Sequence, residues 1–170
     1  MILEILTYPD NFLRQPTRDV ETIDDEIQEI IENMAETMYQ APGVGLAAIQ
    51  AGIDKSIIVY DPEADAEKWE YKALINPKII SSEGETVSEN EGCLSVPDFR
   101  SDVKRAETVV VEGLDRTGKA VRINANGLLS VILQHEIDHL KGILFIDRIS
   151  ALKRELYKKK RKKALKQSEA

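Results

Sequence analysis

Between Thr22 and Gln40 the chain reads TIDDEIQEIIENMAETMYQ. Ile23, Ile27, Ile30, Ile31, Met34 and Met38 recur there at the spacing of one helical face. Acidic residues crowd the first turns, where the helix dipole favours them, and Ala41-Pro42-Gly43 stops the run. The next apolar stretches are shorter and have strand length. KSIIVYD predicts a buried strand, YKALINPKII a second one broken by Pro77, and TVVVEGL and AVRIN a hairpin turning through Asp115 to Gly118. A second helix is expected from about Gly127 to Lys141, with Asn126 or Asn124 as N-cap and Gly142 beyond its end. Leu128, Leu129, Val131, Ile132 and Leu133 make it apolar on several faces, which marks a buried central helix. Ser150 can cap a third helix. Strands mixed with separated helices, without regular βαβ alternation, predict an α+β fold: antiparallel β-sheets packed around the central helix.

Composition narrows the picture. A chain of 170 residues with 42% hydrophobic and 31% charged residues suits one globular domain with a terminal appendage. We divide it into a main body, 1–150, and a basic C-terminal helix, 151–170. No run is long enough to cross a bilayer, the N-terminus lacks a basic leader, and a single cysteine excludes an intrachain disulfide. The expectation is a cytoplasmic protein with no membrane association. The net charge of −7 hides an asymmetry: residues 153–166 carry nine Lys or Arg and one Glu, so the rest of the chain is strongly acidic. That body argues against broad nucleic-acid binding, whereas the tail suits either a polyanionic partner or solvent.

The central helix also carries chemistry. Residues 134–142 read QHEIDHLKG. Residues four apart share a helical face, so His135 and His139 can aim at one point, with Glu136 at the edge of that face. A metal held there would acidify a bound water, and a carboxylate beside it can move the proton. The rival reading, two core histidines, is weakened because these are the only histidines in the chain. Catalytic sites of this kind usually have three protein ligands. One protease pattern places a third histidine six residues after the second, but Phe145 stands there. The acidic alternative downstream, Glu155, lies among lysines and arginines. The remaining strong donor is Cys93 in ENEGCLSVP, although a lone cysteine also serves as a small buried apolar residue.

Three stretches in order make the resemblance specific: GVGLAAIQ at 43–50, EGCLS at 91–95 and QHEIDH at 134–139. The chain resembles a bacterial-type peptide deformylase from the first amphipathic helix through LKGILFIDRIS. That resemblance implies a hydrolase that removes the formyl group from N-formylmethionyl nascent peptides and releases formate. It implies one divalent metal per chain held by Cys93, His135 and His139. Fe(II) is the expected ion, with Zn, Ni or Co as substitutes. Glu136 would be the proton carrier, and the Gln50 amide and the Leu94 backbone N–H would face the developing oxyanion. For the methionine side chain and peptide we expect a pocket of Val44, Gly45, Leu128, Val131 and Ile132, with Arg100 on the backbone or carboxylate. In support, Glu91 is expected to orient Gln50, and Arg105 to pair with Asp138, which as a charge on a buried helix needs a partner. GETVSENEG, 84–92, departs from the family pattern, so no pocket residue is assigned from it. Related deformylases dock a C-terminal helix on the ribosome, and the basic tail suits that role. Two alternatives share the His135–Glu136–His139 pattern: a small zincin-like metallopeptidase and a non-catalytic metal module.

Overall fold

The computed structural model describes residues 1–169. Helix α1 spans Asp25–Gln40. Strands β1 (Gly45–Ala47), β2 (Ile57–Tyr60), β3 (Lys72–Glu83), β4 (Thr86–Cys93), β5 (Val96–Arg105), β6 (Thr108–Leu114) and β7 (Ala120–Asn126) follow, then helices α2 (Gly127–Leu140) and α3 (Ala151–Glu169). Every strand pairing is antiparallel. One sheet has the order β1-β2-β3-β6-β7, and β4 and β5 form a second. This is the expected α+β architecture.

The five-stranded sheet lies between α1 and α2, and strand alternation explains how. In β2, Ile57 and Val59 join the α1 core with Ile31, Met34 and Met38, while Ile58 and Tyr60 join the α2 core with Ile132, Leu133 and Ile137. The continuous apolar run IIVY is therefore a strand buried on both faces. In β1, Leu46 points to α1 and Ala47 to α2. A third core joins β5 to the C-terminal part, with Val96, Val103, Phe145 and Tyr157. Tyr157 seats α3, its ring 4.7 Å from Phe99 and 5.8 Å from Tyr8.

Several boundaries match the pattern, and one does not. Asp24 caps α1 by accepting from the Ile27 N–H, and the Ser150 hydroxyl accepts from Lys153 at the start of α3. Asn126 rather than Asn124 occupies the N-cap of α2, and Gly142 past its end has φ +76°. Pro77, however, does not break the second strand: β3 runs through it. A register shift between Ile75 and Lys78 absorbs the missing donor, with Asn76 at φ +53°.

Candidate metal centre

Three elements converge beside α2. It presents the buried His135, Glu136 and His139; the end of β4 presents Cys93; the turn after β1 presents Gln50. The ligand atoms of Cys93, His135 and His139 all lie within 4.8 Å of one another, and Cys93 Sγ is 3.4 Å from His139 Nε2. A tetrahedral ion bound at about 2.3 Å to sulfur and about 2.05 Å to nitrogen would separate those two donors by about 3.5 Å. The donor set therefore fits a divalent cation with one further position open. Among the described residues no other group of three such donors converges.

The two imidazoles differ in how they are held. His135 donates its Nδ1–H to Glu91 at 2.6 Å, which leaves Nε2 for the cluster, and its ring stacks on Phe145. Phe145, standing where a protease pattern would have a histidine, thus packs against the His135 ring. His139 turns Nε2 toward Cys93, and its buried Nδ1 has no partner among the described residues. Burial keeps His139 well below the usual histidine range. Burial also disfavours charge on His135, but the Cys93 and Glu136 charges beside it carry it well above that range. A cation binding here must displace that proton.

Glu136 is also buried, and its Oε1 has no partner among the described residues. Desolvation dominates its titration and raises it to about 7, against the pull of the His135 charge. Gly45 covers this carboxylate. A β-carbon on Gly45 would lie 2.5 Å from Glu136 Oε2 and 2.9 Å from its Cγ and Cδ. Only a glycine lets β1 approach so closely.

Gln50 is oriented through its oxygen. Its Oε1 accepts from the Ala47 N–H at 2.9 Å, so the NH₂ group must face the other way, to Ser95 Oγ at 3.0 Å and Cys93 Sγ at 3.6 Å. Glu91 plays no part in this, contrary to the expectation from sequence. Its carboxylate is taken up by His135 and by Arg105, because the bulge in β4 turns it toward α2 and not toward the Gln50 turn. Burial would raise Glu91, yet the His135 and Arg105 hydrogen bonds and the Arg105 charge outweigh it and hold it at about 2. Arg105 does reach Asp138, at 3.1 Å as expected, and Asp138 has a second partner, Arg148.

A cavity of about 910 Å³ opens from Cys93, His135 and Glu136 to the surface. Val44, Gly45, Arg100, Leu128, Val131 and Ile132 all line it, as does Leu94, in the two-residue turn between β4 and β5. Sequence reasoning missed further lining residues: Ser88, Glu89 and Asn90 of the unassigned stretch, and Pro97, Asp98 and Phe99. Glu89 and Asn90 form the β4 bulge, where Asn90 sits at φ +56°. Asp102 accepts from its N–H, and Arg100 donates to its carbonyl at 3.3 Å. Bulges beside active sites are common, but in a sequence without obvious alternation nothing announced this one. Ser95, fully buried under Gln50, was likewise unassigned.

The chain is similar to known proteins over nearly its whole length. A model of the polypeptide deformylase family matches residues 2–155. The chain is 50% identical over 167 residues to the peptide deformylase of Desulfosudis oleivorans, covering 98% of this chain and 96% of that one. The crystal structure of a peptide deformylase from Legionella pneumophila superposes with a TM-score of 0.91 at 46% identity, covering 99% of this chain and 98% of that one. A peptide deformylase from Synechococcus elongatus in complex with actinonin superposes with a TM-score of 0.88 at 43% identity, covering 94% and 87%.

Proposed function

The chain belongs to the polypeptide deformylase family, and from that premise we propose how its own residues perform the family's reaction. The protein is a metal-dependent hydrolase that removes the formyl group from the N-terminus of nascent peptides. We assign Cys93, His135 and His139 as the ligands, supported by the convergence of their donor atoms. When bound, a divalent cation there would polarise the formyl oxygen and acidify water.

The remaining chemistry falls to side chains. Water adds to the formyl carbon, and Glu136 takes its proton. As the C–N bond breaks, Glu136 returns a proton to the departing nitrogen, so the products are formate and a free methionyl amine. The buried, unpartnered Oε1 of Glu136, titrating near neutrality, suits a group that must both accept and donate at physiological pH. The Gln50 NH₂, fixed by Ala47 and Ser95, and the Leu94 N–H would stabilise the charge growing on the formyl oxygen. The methionine side chain would rest on Val44, Gly45, Leu128, Val131 and Ile132. Arg100, tied to the β4 bulge, would meet the peptide backbone.

Fe(II) is our choice of native ion, with Zn, Ni or Co as substitutes, because a thiolate with two imidazoles suits each of them. We place the enzyme in the cytoplasm. No helix among the described residues is long and apolar enough to cross a membrane. We read 1–150 as the catalytic part and 151–170, of which Ala170 lies outside the described residues, as a basic tail that contacts the ribosome, supported by the row of exposed lysines along α3. The zincin-like alternative loses its footing, since no third histidine or downstream carboxylate joins the histidine pair in the described structure.

The observation that carries the assignment is the Cys93–His135–His139 cluster beside the buried Glu136. The test is anaerobic purification with metal analysis, followed by formate release from formyl-Met-Ala-Ser. We expect one cation per chain and turnover with Fe(II). No formate with any divalent ion would defeat the assignment.

A further inference from the structure

Asp138 has two guanidinium partners. Arg148 holds it with both ends of its fork, Nε to Oδ2 at 2.6 Å and Nη2 to Oδ1 at 2.8 Å; Arg105 Nη1 adds 3.1 Å to Oδ2. Arg105 turns its remaining donors, Nε and Nη2, to the two oxygens of Glu91, and Glu91 Oε1 receives the His135 Nδ1–H. A continuous row of charged contacts thus runs from Arg148 through Asp138, Arg105 and Glu91 to His135. The three inner side chains are 1–7% exposed, whereas Arg148 is 43% exposed.

The row is balanced, with two carboxylates and two guanidiniums. Without Arg148, two buried carboxylates share one guanidinium, and the unpaired charge on Asp138 draws Arg105 away from Glu91. We propose that Arg148 is a positioning residue for the metal centre: by saturating Asp138 it leaves the fork of Arg105 to Glu91, which then holds the ring of His135. The inference rests on the ligand assignment made above. Partners of a ligating histidine commonly alter metal affinity 10–100-fold. Arg148 acts further out and is partly solvated, so about 3–10-fold faster cation loss is the expected effect.

The test uses the full chain loaded with Co(II). Transfer of the ion to a chelator gives the rate of loss, and the visible absorption bands report the ligand geometry. Arg148→Ala should release the ion several-fold faster, with altered bands; should that variant not fold, Arg148→Gln carries the same comparison. Arg148→Lys should recover part of the effect, because it restores the charge but not the fork. Arg14→Ala is the control. It removes the neighbouring ion pair to Asp147 and a hydrogen bond to the Gly142 carbonyl, so it loosens the same segment without touching Asp138. Its rate should equal that of the wild type. Unchanged release from Arg148→Ala and Arg148→Gln overturns the proposal, and so does equal acceleration by Arg14→Ala, which would make the effect one of segment stability. A wild type that holds no cation overturns the ligand assignment itself, and this inference with it.

Discussion

Replacing Gly45 with alanine probes the site through a single methyl group. The added β-carbon would sit 2.5 Å from Glu136 Oε2 and 2.9 Å from two further atoms of that side chain. Ordinary carbon contacts begin near 3.5 Å, so the carboxylate must retreat by about 1 Å. It has little room, because Glu136 is 4% exposed and Gly45 lies in a strand buried on both sides. A displacement of that size at a reacting group can cost about 100-fold in rate, or about 2.7 kcal/mol of barrier. Overpacking would separately cost about 1–3 kcal/mol of stability. The assay is formate release under saturating formyl-Met-Ala-Ser, with metal content and thermal unfolding measured on the same sample. We expect kcat to fall about 100-fold while the cation stays bound, since the three atoms nearest the new methyl all belong to Glu136 and not to an assigned ligand. Gly43→Ala, whose β-carbon would meet the flexible end of Leu94 at 3.1 Å, should lose much less. A Gly45→Ala enzyme that is folded, metal-loaded and within threefold of wild type would refute the claim that this close approach sets the position of Glu136.

Other outcomes follow from the same geometry. Glu136→Gln should retain the cation and lose about 10²–10⁴-fold in kcat, read by metal analysis beside turnover; loss of the cation would argue for a structural role instead. Cys93→Ala should fold but lose its cation on dialysis, and with it formate release, whereas full metal retention would remove Cys93 from the ligand set. Glu91 is held at about 2 in the folded state, below its ordinary value of 4.5. Its contribution to stability is therefore complete above about pH 4.5 and fades as the pH falls toward 2. Glu91→Gln should be less stable than wild type at neutral pH, and the gap should close in acid; a gap independent of pH would contradict the ion-pair account. Replacing the exposed Lys159, Lys160, Lys162, Lys163 and Lys166 with glutamine, which spares the buried Tyr157, should abolish salt-dependent co-sedimentation with ribosomes, and unchanged sedimentation would count against the tail.

Local arithmetic in the sequence determined a good deal. The i, i+4 spacing of His135 and His139 places both on one helical face whatever else the chain does. A single cysteine and two histidines leave few ways to assemble a soft donor set. The IIVY run, the Ser150 cap of α3 and the glycine after α2 were legible for the same reason: each depends on neighbours along the chain. Tertiary approach alone decided the rest. Glu91 bonds to His135 rather than to Gln50 because a bulge sets its direction, and a bulge depends on the register of two strands. Arg148 reaches Asp138 only because the 3₁₀ turn Phe145–Arg148 packs back on α2. Gly45 must be glycine because β1 crosses α2 at the carboxylate of Glu136. Periodicity encodes which face of an element is buried; it carries no record of which residue of another element will meet that face, because that choice is made by packing across the sheet.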